Sequence, residues 1–243
     1  MIKSFIASLI LSASCLAHAA NDQGTFIIAA YGDSTTAGVM SSGGKNIITP
    51  HNEMAYLQNL LENKYGSSIE VKNYGLPGVQ AAELLYSKRK GYFSSWSERM
   101  EKSPAKMILL NYGINDARHF FFKDKKVHLE SPEEYGRIMT TLVQEAKAQN
   151  KLVLLQEPNP ICNKAERWNV WPYVYQLNKV AEAEHVPIVK QWEVIKAQHD
   201  WQKNMSADCI HPSEMLYQQK AQQTMNVITA NFGKELSQPG SEK

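Results

Sequence analysis

Phe26-Ile27-Ile28-Ala29-Ala30-Tyr31 runs without a polar break into Gly32-Asp33-Ser34-Thr35-Thr36, and this stretch decides the fold. An apolar run without strict alternation suits a strand buried on both faces, which is how a parallel sheet covered by helices reads. Four more runs have the same character: Ile69 to Tyr74, Met107 to Tyr112, Leu152 to Gln156 and Val186 to Gln191. Helical periods lie between them. Met54, Leu57, Leu61 and Tyr65 share one face, as do Tyr135, Ile138, Leu142 and Ala146. Ser131 caps the second of these, with Pro132 at its first position, Glu134 three residues after the cap and Asn150 at its exit. A last helix is expected from Ser213, with Tyr217, Ala221, Met225 and Ile228 on one side. Alternating strands and helices predict an α/β fold, a three-layer α/β/α sandwich on a five-stranded parallel sheet.

Outside these runs, the ends of the chain carry different signals. Met1-Ile2-Lys3 and the apolar stretch from Phe5 to Leu16, ending in Ala17-His18-Ala19, predict a signal peptide over 1–19, cleaved after Ala19 or Ala20. The stretch is short for a membrane span. A lipoprotein signal using Cys15 is the weaker reading, because Ser12 stands where an aliphatic residue is usual. Cleavage leaves about 220 of the 243 residues. No linker or repeat divides them, so one domain over 20–236 and a polar tail over 237–243 are expected. With 26 basic and 24 acidic side chains the charge is nearly balanced, which argues against a nucleic-acid surface or a basic membrane patch. The expected localisation is periplasmic or extracellular, and a monomer is assumed.

In such a sheet ligands bind at the carboxyl ends of the strands, and the polar signatures fall there. Gly32-Asp33-Ser34 follows the first run, Gly75-Leu76-Pro77-Gly78 the second, Gly113-Ile114-Asn115-Asp116 the third and Pro158-Asn159-Pro160 the fourth. Asp208 and His211 lie beyond the fifth. A serine hydroxyl is a poor nucleophile unless an imidazole takes its proton and a carboxylate fixes that imidazole's tautomer. Ser34 is therefore expected to attack a carbonyl carbon, with His211 as general base and then acid, and Asp208 orienting it. The oxyanion needs donors, each worth about 3 kcal/mol in the transition state. The backbone N–H groups of Ser34 and Gly78 and the side-chain amide of Asn115 are assigned, Gly78 in preference to Gly75.

Each piece alone has a plainer reading. A serine after a strand caps a helix, Gly75 and Gly78 mark a turn, Asn115-Asp116 is a capping pair, and His211 before Pro212 is a loop histidine. All four in order, each beyond a different strand, favour catalysis. The chain resembles the SGNH hydrolases of the GDSL esterase and lipase superfamily, whose four blocks match Gly32-Asp33-Ser34, Asn73-x-Gly75-x-x-Gly78, Gly113-x-Asn115-Asp116 and Asp208-x-x-His211. The resemblance implies a flavodoxin-like fold, no metal or organic cofactor, and hydrolysis of small acyl, lipid or acetylated glycan esters through an acyl-serine. An α/β-hydrolase fits less well, since its Gly-x-Ser-x-Gly elbow is absent here. The rival readings are an O-acyltransferase with the same triad and a non-catalytic module in which Gly32 to Gly38 cradles a phosphate.

The remaining signals are weaker. Once the signal is removed, Cys162 and Cys209 are the cysteines left. Spacing does not decide between a disulfide and two buried thiols, but their placement after late strands favours the bridge. Ala37 to Pro50, Arg118 to Leu129 and Asn163 to Trp171 are expected as loops around the substrate. Phe120, Phe121 and Phe122 beside Lys123, Lys125 and Lys126 read either as an acyl or sugar platform or as a packed loop with a solvated charged face, the latter favoured. Trp168, Trp171 and Trp201 are likewise assigned to packing. His51, His128, His185 and His199 show no metal-ligand spacing.

Overall fold

Every residue of β1 (Phe26–Gly32) except Ile27 is buried, because the strand has a neighbour on each side and a helical layer on each face. The computed structural model describes residues 24–87 and 94–237. The expected signal peptide with Cys15, and the tail beyond Ser237, lie outside the described residues. After β1 come α1 (Ser34–Ala37), β2 (Val39–Ser42), β3 (Lys45–Ile48), α2 (Glu53–Tyr65), β4 (Ile69–Asn73), α3 (Ala81–Tyr86), α4 (Trp96–Lys102) and β5 (Met107–Asn111). Then follow α5 (Ile114–Phe122), α6 (Pro132–Ala148), β6 (Leu152–Gln156), α7 (Trp171–Glu184), β7 (Ile188–Val189), α8 (Gln191–Lys196) and α9 (Glu214–Ser237). Among the described residues no helix is long and apolar enough to cross a membrane.

The main sheet is parallel throughout, in the order β4-β1-β5-β6-β7. Strand addition reverses at β1, which opens a crevice at the carboxyl ends of β1 and β5. Side chains alternate between the two faces. Ile28, Ala30, Met107, Leu109 and Leu154 pack with Leu57 of α2 and Met225 of α9. Ala29, Tyr31, Ile108, Leu110 and Leu155 pack on the opposite face with Leu84, Ile138 and Leu177 of α3, α6 and α7. This is the three-layer sandwich that the apolar runs predict. The α6 cap forms as expected, with Ser131 Oγ accepting from Glu134 N–H at 3.2 Å.

The structure corrects the expected elements in four places. The fifth strand shrinks from Val186–Gln191 to Ile188–Val189, because Gln191 already opens α8, whose Trp192 N–H donates to Glu157 Oε2 at 3.0 Å. Ala37 to Pro50 is no plain loop but carries the antiparallel β2–β3 hairpin. Its turn residues Gly43 and Gly44 have φ of 58° and 76°, the positive angles that a two-residue hairpin turn favours. Arg118 to Phe122, expected in a loop, are the second half of α5. Asn163–Trp168 forms a 3-10 turn.

Beneath the carboxyl end of β6 lies a buried ion pair with no counterpart in the sequence reading. Lys220 Nζ on α9 sits 3.2 Å from Glu53 Oε2 on α2, both side chains sealed from solvent. Thr224 Oγ1 donates to Glu53 Oε1 at 3.0 Å, and the Gln156 amide reaches the same oxygen. Removing one partner strands the other charge in a low dielectric, at about 3–5 kcal/mol. Lys220→Met is expected to lower the urea midpoint by that much stability, and an unchanged midpoint would show that water reaches Glu53.

Candidate active site

Gly32 and Gly75 let two backbones close on α1. A Cβ at Gly32 would lie 2.0 Å from Thr36 Oγ1 and 2.6 Å from the Asn111 carbonyl, and one at Gly75 would lie 2.3 Å from Ala37 N. Asp33 caps α1, its Oδ1 accepting from Thr35 N–H at 2.8 Å and Thr35 Oγ1 at 2.9 Å. Burial pushes the Asp33 carboxyl up and the Thr35 bonds pull it back, with a net rise. The cap occupies the Thr35 N–H in the first turn of α1.

Ser34 opens α1, and 177 positions later His211 returns to it, with Nε2 2.8 Å from Ser34 Oγ. His211 Nδ1 lies 2.5 Å from Asp208 Oδ2. The other Asp208 oxygen accepts from the N–H groups of Ile210 and His211, each at 3.0 Å. Burial works to raise the Asp208 pKa, but the hydrogen bonds from the His211 ring and these N–H groups outweigh it and hold the carboxyl at about 2. Neutral His211 with its proton on Nδ1 leaves Nε2 as an acceptor facing the hydroxyl. The arrangement can remove a proton from Ser34.

The loop bearing this pair is braced on three sides. Ser206 N–H donates to the His211 carbonyl at 2.8 Å and Met205 bridges to Pro212. Ser41 N–H on β2 donates to Ser206 Oγ at 3.1 Å, which ties the hairpin to the loop. Cys209, with φ of 60°, is joined to Cys162 by a disulfide whose Cα atoms are 5.0 Å apart. Cys162 N–H also donates to the Cys209 carbonyl at 2.9 Å. The bridge pins the loop to the segment after β6. Ser206 is missed by sequence reasoning, since a serine two residues before an aspartate carries no distinguishing pattern.

Asn115 projects from the first turn of α5 and is buried, its Nδ2 donating to the Val79 carbonyl at 3.1 Å and lying 3.5 Å from Asp33 Oδ2. The first contact sets the amide's orientation. The second is weak by geometry and can be exchanged for a ligand oxygen. Gly75 N–H donates to Asn73 Oδ1 at 2.9 Å, whereas Gly78, with φ of 80°, lines the cavity. Asp116, expected only as a capping residue, links the two donor loops. Its carboxylate accepts from Gly113 N–H before Asn115 and from Ala81 N–H after Gly78, each at 2.9 Å. Beside it Glu130 accepts from Ala82 N–H at 3.1 Å, and burial followed by the Asp116 charge pushes Glu130 well above the carboxylate range.

Ser34, Gly78, Asn115 and His211 face one cavity of about 380 Å³. Ile47 and Ile48 of the hairpin form one wall, and Arg118 and Trp168 another. Trp201 is packed as expected, Trp168 packs against the core and also lines the cavity, and Trp171 is exposed. The phenylalanines are also not packed beneath the lysines. Phe121 and Phe122 are 43% and 50% exposed, because they lie past the buried turn of α5. Among the described residues no cluster of three or more His, Cys, Asp or Glu could hold a metal ion.

The sequence pattern of the GDSL-like Lipase/Acylhydrolase family matches residues 30–219. No curated protein sequence matches the chain. Among solved structures, the lipase/acylhydrolase from Enterococcus faecalis superposes with a TM-score of 0.61 at 17% identity, over 85% of this chain and 96% of its own. A catalytic mutant of an acetylxylan esterase from Geobacillus stearothermophilus superposes with a TM-score of 0.60 at 20% identity, over 90% and 99%. At these identities the likeness is one of fold.

Two outcomes follow from the braced loop. Because the folded Asp208 titrates near 2 against 3.8 for the free group, its stabilisation is present above about pH 4 and is lost as pH falls through about 2, roughly 2 kcal/mol in all. In urea titrations the stability gap between wild type and Asp208→Asn should therefore narrow between about pH 4 and pH 2; a constant gap would contradict the low pKa. The bridge closes a loop with a sequence separation of 47, so Cys162→Ser with Cys209→Ser should lose about 4 kcal/mol on the chain-entropy model. Chain lacking residues 1–19 should show no reactive thiol until it is reduced.

Proposed function

The chain belongs to the GDSL-like Lipase/Acylhydrolase family and is a carboxylic ester hydrolase, and from that premise we propose that it is an exported serine esterase for small acyl esters. The observation that carries the reading is the unbroken relay from Asp208 through His211 to Ser34. His211 Nε2 takes the hydroxyl proton as Ser34 Oγ attacks the ester carbon. The oxyanion is held by the N–H groups of Ser34 and Gly78 and by the Asn115 amide. These donors are fixed before reaction, so little reorganisation is needed when charge develops. His211 then protonates the departing alcohol, and water, deprotonated by the same nitrogen, releases the acid from the acyl-serine.

The likeness to an acetylxylan esterase supports an acetyl group as the acyl part. The superposition with an acetylxylan esterase supports a glycan hydroxyl as one source of the alcohol. The charged start, apolar stretch and Ala17-His18-Ala19 support export, and the disulfide accords with an oxidising compartment. One catalytic domain over 20–236 completes the proposal.

Ser34→Ala should lower kcat/KM on p-nitrophenyl acetate by about ten-thousandfold or more and abolish covalent capture by a fluorophosphonate. Wild type should prefer the acetate to the decanoate ester. Full activity in the alanine variant would remove Ser34 as nucleophile, and preference for the decanoate would overturn the small-acyl reading.

A further inference from the structure

Arg118 sits one helical turn after Asn115 on α5 and lines the same cavity as Ser34 and His211. Its guanidinium lies 5.8 Å from the centroids of both the Phe122 and Trp168 rings. Those rings meet edge to face at 6.4 Å. Arg167 stands over Phe121 and Phe122, 5.7 Å from each. Cation–ring contacts of this kind hold a guanidinium in place without consuming its N–H donors. Arg118 has no hydrogen bond or ion pair among the described residues, although it is a side chain with five donors. Among the described residues no carboxylate lines the cavity, and apart from His211 Arg118 is the one titratable side chain that does. The segments that follow Arg118 and lead to Trp168 expose Lys123, Lys125, Lys126, Lys164 and Arg167 and carry Asp124 and Glu166, so these segments are net positive. Asp124 is engaged by His119 at 3.1 Å and by Lys126 N–H at 3.0 Å, not by Arg118.

An unpaired guanidinium stacked on aromatic rings and lining the same cavity as the serine is the arrangement that recognises a carboxylate or phosphate through two parallel N–H donors. The geometry points to Arg118 as a substrate-specificity residue that binds an anionic group, carboxylate or phosphate, on the molecule whose ester is cleaved. This rests on the esterase reading and narrows its substrate class: the preferred esters carry a negative charge outside the scissile bond. The net positive charge of the neighbouring segments attracts them, Arg118 orients them, and Ile47 and Ile48 line the part of the cavity left for their uncharged portion. Neutral esters meet the same serine without that anchor.

The test compares matched esters that differ in charge. 4-Acetoxybenzoate against phenyl acetate reports a carboxylate, and acetylglycerol phosphate against acetylglycerol reports a phosphate. Taking the anionic-to-neutral ratio of kcat/KM in each protein cancels intrinsic leaving-group reactivity. Arg118→Gln should lower this ratio about five- to tenfold, mostly through KM, in the arm whose anion the site accepts. Arg118→Lys should retain part of it, and added salt should erode the wild-type ratio but not that of the glutamine variant. A ratio unchanged by Arg118→Gln in both arms, or a fall of equal size for both members of each pair, overturns the assignment. In those outcomes wild type still cleaves the neutral esters and the esterase reading stands. Absence of hydrolysis of any ester by wild type would overturn both.

Discussion

The 2.8 Å contact between His211 and Ser34 joins residues 177 positions apart, and the rest of the molecule is arranged so that it can form. Ser34 reaches it because β1 lies inside the sheet, flanked by β4 and β5, and because Gly32 lets the chain turn into α1 against the Asn111 carbonyl. His211 reaches it from the segment before α9, across the crevice that the reversal of strand order leaves open. A hydrogen bond of this reach cannot be held by local propensity. It depends on a sheet whose two faces are both buried.

Much of the bracing consists of polar groups taken out of water. Asp116 ties the loop of Gly78 to that of Asn115 through two backbone N–H groups, so these two of the three proposed oxyanion donors are held by one carboxylate. Ser206 and the disulfide hold the Asp208–His211 loop to the hairpin and to the segment after β6. The Lys220–Glu53 pair lies below, joining α9 to α2. Such groups are costly to bury singly and specify geometry when satisfied. They concentrate around the carboxyl ends of the strands, where donors must stand ready before charge develops.

The same disulfide also anchors the substrate side of the cavity. Cys162 leads directly into the 3-10 turn that presents Trp168, and Trp168 carries Arg118 through its ring face. Catalytic loop and cationic wall are therefore fastened at one covalent point. The hairpin also lines the cavity and is held through Ser41 and Ser206. The elements that differ most from the sequence expectations are these walls.

The sequence by itself determined the sheet, the order of its signatures and the identities of the residues that meet at its edge. Buried strands, helix caps and glycines between them are written in local composition: Phe26 to Gly32, Ser131 with Pro132, Gly75 and Gly78. The length of the last strand was not legible, since the start of α8 depends on a bond from Trp192 to Glu157. Nor were Asp116 as a brace, the Lys220–Glu53 pair, or the exposure of Phe121 and Phe122. Whether a charged or aromatic side chain is buried, paired or left facing a cavity depends on partners far away in sequence. Only the tertiary structure decided that Arg118 lines the cavity of Ser34 with no ion pair among the described residues, because its environment is made by Trp168 from a distant turn and no described carboxylate lines that cavity.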